Sequence, residues 1–295
     1  MESSRTYLDP ATVAKVKDLE LKAKRTIEGL ISGRHRSPYQ GISVEFAEHR
    51  EYVPGDDPRH IDWKLLAKTD RTYVKRYEQE TNLILNLVFD ASESMKYGSG
   101  PVTKLEYAAQ LAACLAYLVI HHQDSVGMSF FENKVRYFVP PSGQATHLRQ
   151  LYHLLSVCQP SNHRSKIGEV IDELAERFRK RSLVAVISDC FDDVDGIIAA
   201  FKHLRYKKHE IVLFHVLDPA EIEFPFNDVT KFRGLEEFPE LLADPRGLRK
   251  AYREAFGAFM KRLFVACRSN GVDYQLVRTD HPLDQLLFSY LASRQ

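Results

Sequence analysis

The chain has 295 residues, 44% hydrophobic and 27% charged, enough apolar material for one large core or two unequal ones and too much for a disordered or collagen-like chain. Its 41 basic and 40 acidic residues leave a formal charge of +1, so no global field draws it toward nucleic acid or an anionic membrane. Cysteines at 114, 158, 190 and 267 form no CxxC pair and no histidines stand at metal-site spacing, which argues against a zinc site or a disulfide framework.

The opening MESSRTYLDP has no apolar core of the secretory kind. The most apolar stretch, over 105–120, includes Glu106 and Gln110 and is shorter than the ~20 residues of a membrane span. A cytoplasmic protein without a membrane span is the expectation. Asp9 and Pro10 read as an N-cap and a first-turn proline, and Val13, Val16, Leu19, Ala23, Ile27 and Leu30 recur at three- and four-residue steps, predicting an amphipathic helix that stops near Gly33. Residues 34–72 carry Gly, Pro, Asp and Arg with little periodicity and predict an ordered loop with one short strand around 42–46. Residues 72–80 predict a strand at a sheet edge.

From Leu83 the texture changes. LILNLVFD predicts a buried strand, KLEYAAQLAACLAYLVIHHQ a mostly buried helix, SVGMSFF a strand, and VRYFV another across the short ENK turn. Helices are expected over 147–157 and 167–179, then the strand LVAVIS, a helix over 197–205, the strand IVLFHVL, a long helix over 245–270, the strand VDYQLV and a last helix over 283–291. Alternation of this kind predicts an α/β fold, a doubly wound, mostly parallel sheet with helices on both faces. The domain reading is 1–81 as an N-terminal helix and loop/strand extension and 82–295 as the sheet domain, with 218–243, containing Pro219, Pro225 and Pro239, as an excursion.

Ligands of doubly wound sheets bind beyond the carboxyl ends of the strands. The first buried run ends in Asp90-Ala-Ser92-Glu-Ser94, where one carboxylate and two hydroxyls at alternate positions can converge on a hard cation. The run LVAVIS ends in Ser188-Asp189, bringing a second carboxylate to the same edge, and the loop over 160–165 offers a hydroxyl ahead of the next helix.

At these residues the chain resembles the von Willebrand factor A fold with its metal-ion-dependent adhesion site. The resemblance implies a Mg²⁺ site, with Mn²⁺ or Ca²⁺ as alternatives, held by Asp90, Ser92, Ser94 and Asp189; the family's threonine place falls to Ser165 or, alternatively, Thr146. A second resemblance rests on EFAEHREYVPGDDPRHIDW followed by VKRYEQE: the chain is similar, over about 33–217, to the bacterial domain of unknown function family number fifty-eight. That family is von Willebrand A-like, has no established enzymatic activity, and is often encoded beside MoxR-type AAA+ ATPases. The implied function is a metal-dependent adaptor or chaperone component that grips an acidic side chain of a partner protein, plausibly such an ATPase.

The GDDPRHIDW segment reads as a structural staple, with Asp56 or Asp57 accepting backbone N–H groups, Arg59 pairing with Asp62, and the Trp63 ring buried. The competing reading is a recognition surface of Arg50, Arg59 and Trp63. Asp192, Asp193 and Asp195 read as solvated or as caps of the following helix. The rival function is a Mg²⁺-dependent phosphohydrolase with Asp90 as nucleophile, but the residue two positions on is Ser92, which cannot serve as general acid near neutral pH. Phosphate-loop, dinucleotide and nucleophile-elbow motifs are absent, so no enzyme is expected. The basic, aromatic run over 59–80 reads as a solvated face rather than a nucleic-acid site.

Overall fold

Six strands form the central sheet of this computed structural model, which describes residues 46–53, 61–63, 65–66, 71–77, 83–160, 165–226, 230–232, 241–243 and 245–292. The helix expected over 9–33 lies outside the described residues, as do Asp56, Asp57 and Arg59. Residues 39–82 make one compact unit and residues 83–295 belong to another.

Within the first unit, β1 (Phe46–Glu51) pairs antiparallel with β2 (Tyr73–Tyr77), with Arg50 opposite Val74 and Glu51 opposite Tyr73. Of the strand expected around 42–46, only Phe46 lies among the described residues, where it opens β1. A charged run such as FAEHRE gives no hydrophobic signal of the pairing with β2.

The larger unit holds β3 (Ile84–Asp90), β4 (Ser125–Phe131), β5 (Val135–Ser142), β6 (Leu183–Ser188), β7 (Glu210–Leu217) and β10 (Asp273–Arg278) in the order β10-β7-β6-β3-β4-β5. All neighbours are parallel except β4 and β5, giving the doubly wound, mostly parallel sheet that the alternation predicts. The central strands are buried along their length, as runs covered on both faces must be. Side chains alternate between two cores. Leu85, Leu87, Phe89, Ala185 and Ile187 meet α1 (Lys104–His121), α2 (Ala145–Val157) and α7 (Leu283–Ala292), while Val88, Val184 and Val186 meet α3 (Ile167–Arg177), α4 (Val194–Tyr206) and α6 (Pro245–Ser269). The reversed strand β5 is outermost, carries Pro140 and Pro141, and changes register opposite β4 beside them.

The excursion contains a short helix, α5 (Pro219–Glu223), and the two-stranded ladder of β8 (Thr230–Phe232) with β9 (Leu241–Ala243). Helix α1 starts with a full capping box between Thr103 and Glu106, which fixes its first turn against the carboxyl rim of the sheet. Among the described residues no helix is long and apolar enough to cross a membrane.

Candidate metal centre

Asp90 closes β3 and Ser188 closes the adjacent β6, so their side chains leave the sheet at one rim. Asp90 is fully buried. Its Oδ1 accepts the Ser92 N–H at 2.9 Å and its Oδ2 the Ser188 hydroxyl at 2.5 Å. Ser188 Oγ in turn accepts the Cys190 N–H at 2.9 Å. Cys190 sits at φ 55°, in the left-handed region that costs a non-glycine residue about 1–3 kcal/mol; the chain thus turns sharply just after Asp189. Ser92 and Ser94 flank the start of a single 3-10 turn, Glu93–Lys96, both buried, with their hydroxyl oxygens 3.1 Å apart.

Burial, and then the charge of Asp189, push the Asp90 carboxyl up to about 7, against the hydrogen bonds from Ser188 and Ser92. A buried carboxyl raised by desolvation and by a neighbouring carboxylate is the electrostatic situation that a cation relieves. Ser165 adds a second sign. It is 1% exposed and its Oγ has no hydrogen-bond partner, an exception to the rule that buried polar atoms are satisfied. Its neighbours fix it at the same rim: the Lys166 N–H reaches the Glu132 carbonyl just past β4, and the Ile167 N–H reaches Asp192 Oδ2 at 2.8 Å, three residues after Asp189.

Thr146 stands elsewhere. Because β5 is antiparallel, its last residue Ser142 lies opposite Val126 near the start of β4, so α2 and Thr146 begin at the other rim, where Thr146 is exposed. Of the two second-loop alternatives only Ser165 shares an edge with Asp90. Among the described residues no three His, Cys, Asp or Glu side chains cluster to hold a metal. The donor set therefore fits a hard, oxygen-loving ion only with hydroxyls included, and the orphaned Ser165 Oγ is the atom such an ion would satisfy. Ser165→Ala is expected to raise stability in EDTA by about 1–3 kcal/mol, the cost of a buried unsatisfied hydroxyl, and to weaken Mn²⁺ uptake; denaturant melts and a Mn²⁺ titration read the two effects.

Sequence reasoning missed the groups that surround Asp189. Lys104, the first residue of α1, is fully buried and donates to Asp189 Oδ2 at 2.7 Å and Glu221 Oε1 at 2.6 Å. Burial alone would lower its pKa, yet Asp189 and Glu221 outweigh that and hold it above the ordinary lysine value. Its ammonium also lies 4.7 Å from the centre of the Phe191 ring. Glu221 is raised by burial in spite of Lys104, and its other oxygen, Oε2, accepts the Asp218 N–H at 2.8 Å. Asp218 itself is buried but saturated, accepting from the Ser99 N–H and hydroxyl, the Ala220 N–H and the Thr279 hydroxyl. The backbone of Asp189 is fixed as well: its carbonyl accepts His215 Nε2–H at 2.8 Å. Burial pushes His215 down to about 4, so the ring is neutral and its Nδ1 accepts the Tyr274 hydroxyl at 2.7 Å.

Residues 48–261 match the family described as Protein of unknown function DUF58. The chain belongs to the DUF58 family. It is 27% identical to uncharacterized protein Rv1480 of Mycobacterium tuberculosis over 293 residues, covering 97% of this chain and 91% of that protein, and equally to uncharacterized protein Mb1516 of Mycobacterium bovis. Among solved structures it is similar to the conserved hypothetical protein BatB from Bacteroides thetaiotaomicron, at 19% identity, 72% coverage of this chain, 99% of that chain and a TM-score of 0.48. It is also similar to the SpRpn10 VWA domain, at 15% identity, 70% and 94% coverage and a TM-score of 0.41. Neither the DUF58 description nor the names of these mycobacterial relatives assigns a reaction.

The DUF58 signature segment departs from the staple expectation in one respect. Trp63 is 63% exposed, not buried, and Asp62 is the inward residue at 8%. The cause is local: Ile61 bridges to Val74, the Asp62 N–H donates to the Tyr73 carbonyl, and Asp62 Oδ1 accepts the Leu65 N–H at 3.2 Å, turning the next side chain outward. Arg50 lies on β1, with its side chain outside the described set. The aspartates after Asp189 are structural: Asp193 caps α4, Asp192 holds the start of α3, and Asp195 pairs with Arg262.

Proposed function

We propose that this DUF58 chain is a metal-dependent protein-interaction module. Asp90, Ser92, Ser94, Ser165 and Asp189 would hold Mg²⁺, with Mn²⁺ or Ca²⁺ as substitutes, and the ion would grip an acidic side chain of another protein. The observation that supports this best is the meeting, at one rim, of two mutually repelling buried carboxylates and an orphaned buried hydroxyl. Two carboxylates and three neutral oxygens roughly cancel a divalent charge and leave a coordination place for an outside carboxylate. The family resemblance makes a MoxR-type AAA+ ATPase the first partner to try, in a cytoplasmic adaptor or chaperone role. The phosphohydrolase alternative draws no support from the rim, where Ser92, two residues after Asp90, offers no general acid.

Capture of a MoxR-type ATPase on the immobilised chain tests the reading. Retention is expected to fall about tenfold or more when Mg²⁺ is replaced by EDTA, and to the same degree with Asp90→Ala. Equal capture in both buffers would overturn it.

A further inference from the structure

We infer that Lys104 is a positioning residue of this centre, holding Asp189 by one oxygen so that the other stays available to a cation. The inference rests on the metal reading above and adds a residue that no part of the adhesion-site pattern contains. Lys104 Nζ takes only Oδ2, at 2.7 Å, while Oδ1 has a long 3.4 Å contact with the Phe191 N–H. Asp189 is also fixed at its carbonyl by His215, so the carboxylate is held from two sides with a single oxygen spare. Glu221 keeps Lys104 in place from the other side, with one oxygen on the ammonium and the other on the Asp218 N–H. The Phe191 ring, its centre 4.7 Å from the ammonium, adds a third neighbour beside the two carboxylates. Charge matters too: Asp189 and Glu221 share the one ammonium, and Asp90 lies near enough to Asp189 to be raised by its charge.

Charge and positioning are separable. Lys104→Met with Glu221→Gln removes one charge of each sign and keeps the net charge; Glu221→Gln alone leaves Lys104 on Asp189 but makes the pocket less negative. Charge alone predicts that the double variant binds Mn²⁺ as tightly as wild type and more tightly than Glu221→Gln. Positioning predicts the opposite order, with the double variant about 10–100-fold weaker than wild type, the usual loss when a ligand's supporting group is removed, and weaker than Glu221→Gln. Calorimetric Mn²⁺ titration of the three chains reads the order, and circular dichroism reports folding. Lys104→Gln with Glu221→Gln, whose amides can bond each other, replaces the methionine variant if that one does not fold. A double variant as tight as wild type overturns the role of Lys104. A wild-type chain that takes up no Mn²⁺ overturns the metal reading and this role with it.

Discussion

Asp90→Asn is expected to remove a loss of stability that the wild-type chain suffers in EDTA as pH rises from about 4 to 7. The carboxyl stands at about 7 in the folded chain against 3.8 for its reference state, chiefly through burial and then through Asp189. The folded state thus holds the Asp90 proton over a range in which the unfolded state has released it. Stability from this group is full below the unfolded value, declines as pH climbs through the folded value, and is flat above. At ~1.4 kcal/mol per pKa unit the effect is on the order of 2–4 kcal/mol. Asparagine cannot ionise, so in thermal melts at pH 5 and pH 8 the variant should gain on wild type at the higher pH. Added Mg²⁺ should restore the wild type at pH 8, because an ion that binds only the folded state stabilises it, and leave Asp90→Asn unmoved. Parallel pH profiles for the two chains would contradict the assignment of Asp90 as the strained acid.

Lys104→Met carries the other large effect. The substitution leaves Asp189 and Glu221 in a buried pocket without the ammonium that both contact within 2.7 Å. Removing one partner of a buried pair costs about 3–5 kcal/mol, well beyond what the intact pair contributes, because the remaining charge is neither solvated nor matched. At about 2–4 °C per kcal/mol for a domain of this size, Tm should fall by ~6–20 °C in EDTA. Adding Glu221→Gln should recover part of that loss, since one stranded carboxylate disappears. A Lys104→Met chain within about 1 kcal/mol of wild type in urea titration would mean that water reaches the pair and screens it.

Much of the sheet was legible from local texture. LILNLVFD, SVGMSFF and LVAVIS are mostly apolar runs, interrupted only by Asn86 and by small residues such as Gly127 and Ser129, of the kind that a strand buried on both faces carries, and they became β3, β4 and β6. The Asp90 loop was legible because its oxygens follow such a run directly. What escaped depends on contacts that sequence distance hides. Lys104 meets residues 85 and 117 positions away, and nothing in KLEYAA distinguishes a lysine that snorkels to water from one sealed beneath a loop. The choice between Ser165 and Thr146 turned on the direction of β5, which reverses and carries α2 to the far rim; strand polarity is a property of pairing. Trp63 was misplaced because one residue's shift in a short turn exchanges inside for outside, and Asp62 took the inner place through its bond to Leu65.

The outermost strand has a consequence for how such chains coexist at high concentration. A bare flank of a sheet is an invitation for a neighbouring molecule to zip on as an additional ribbon. Pro140 and Pro141 lack amide hydrogens, and since successive strand residues direct their N–H groups to opposite edges, one of the two removes a rung that a visitor approaching β5 would need. Growth from that flank is disfavoured by the covalent structure of the strand itself.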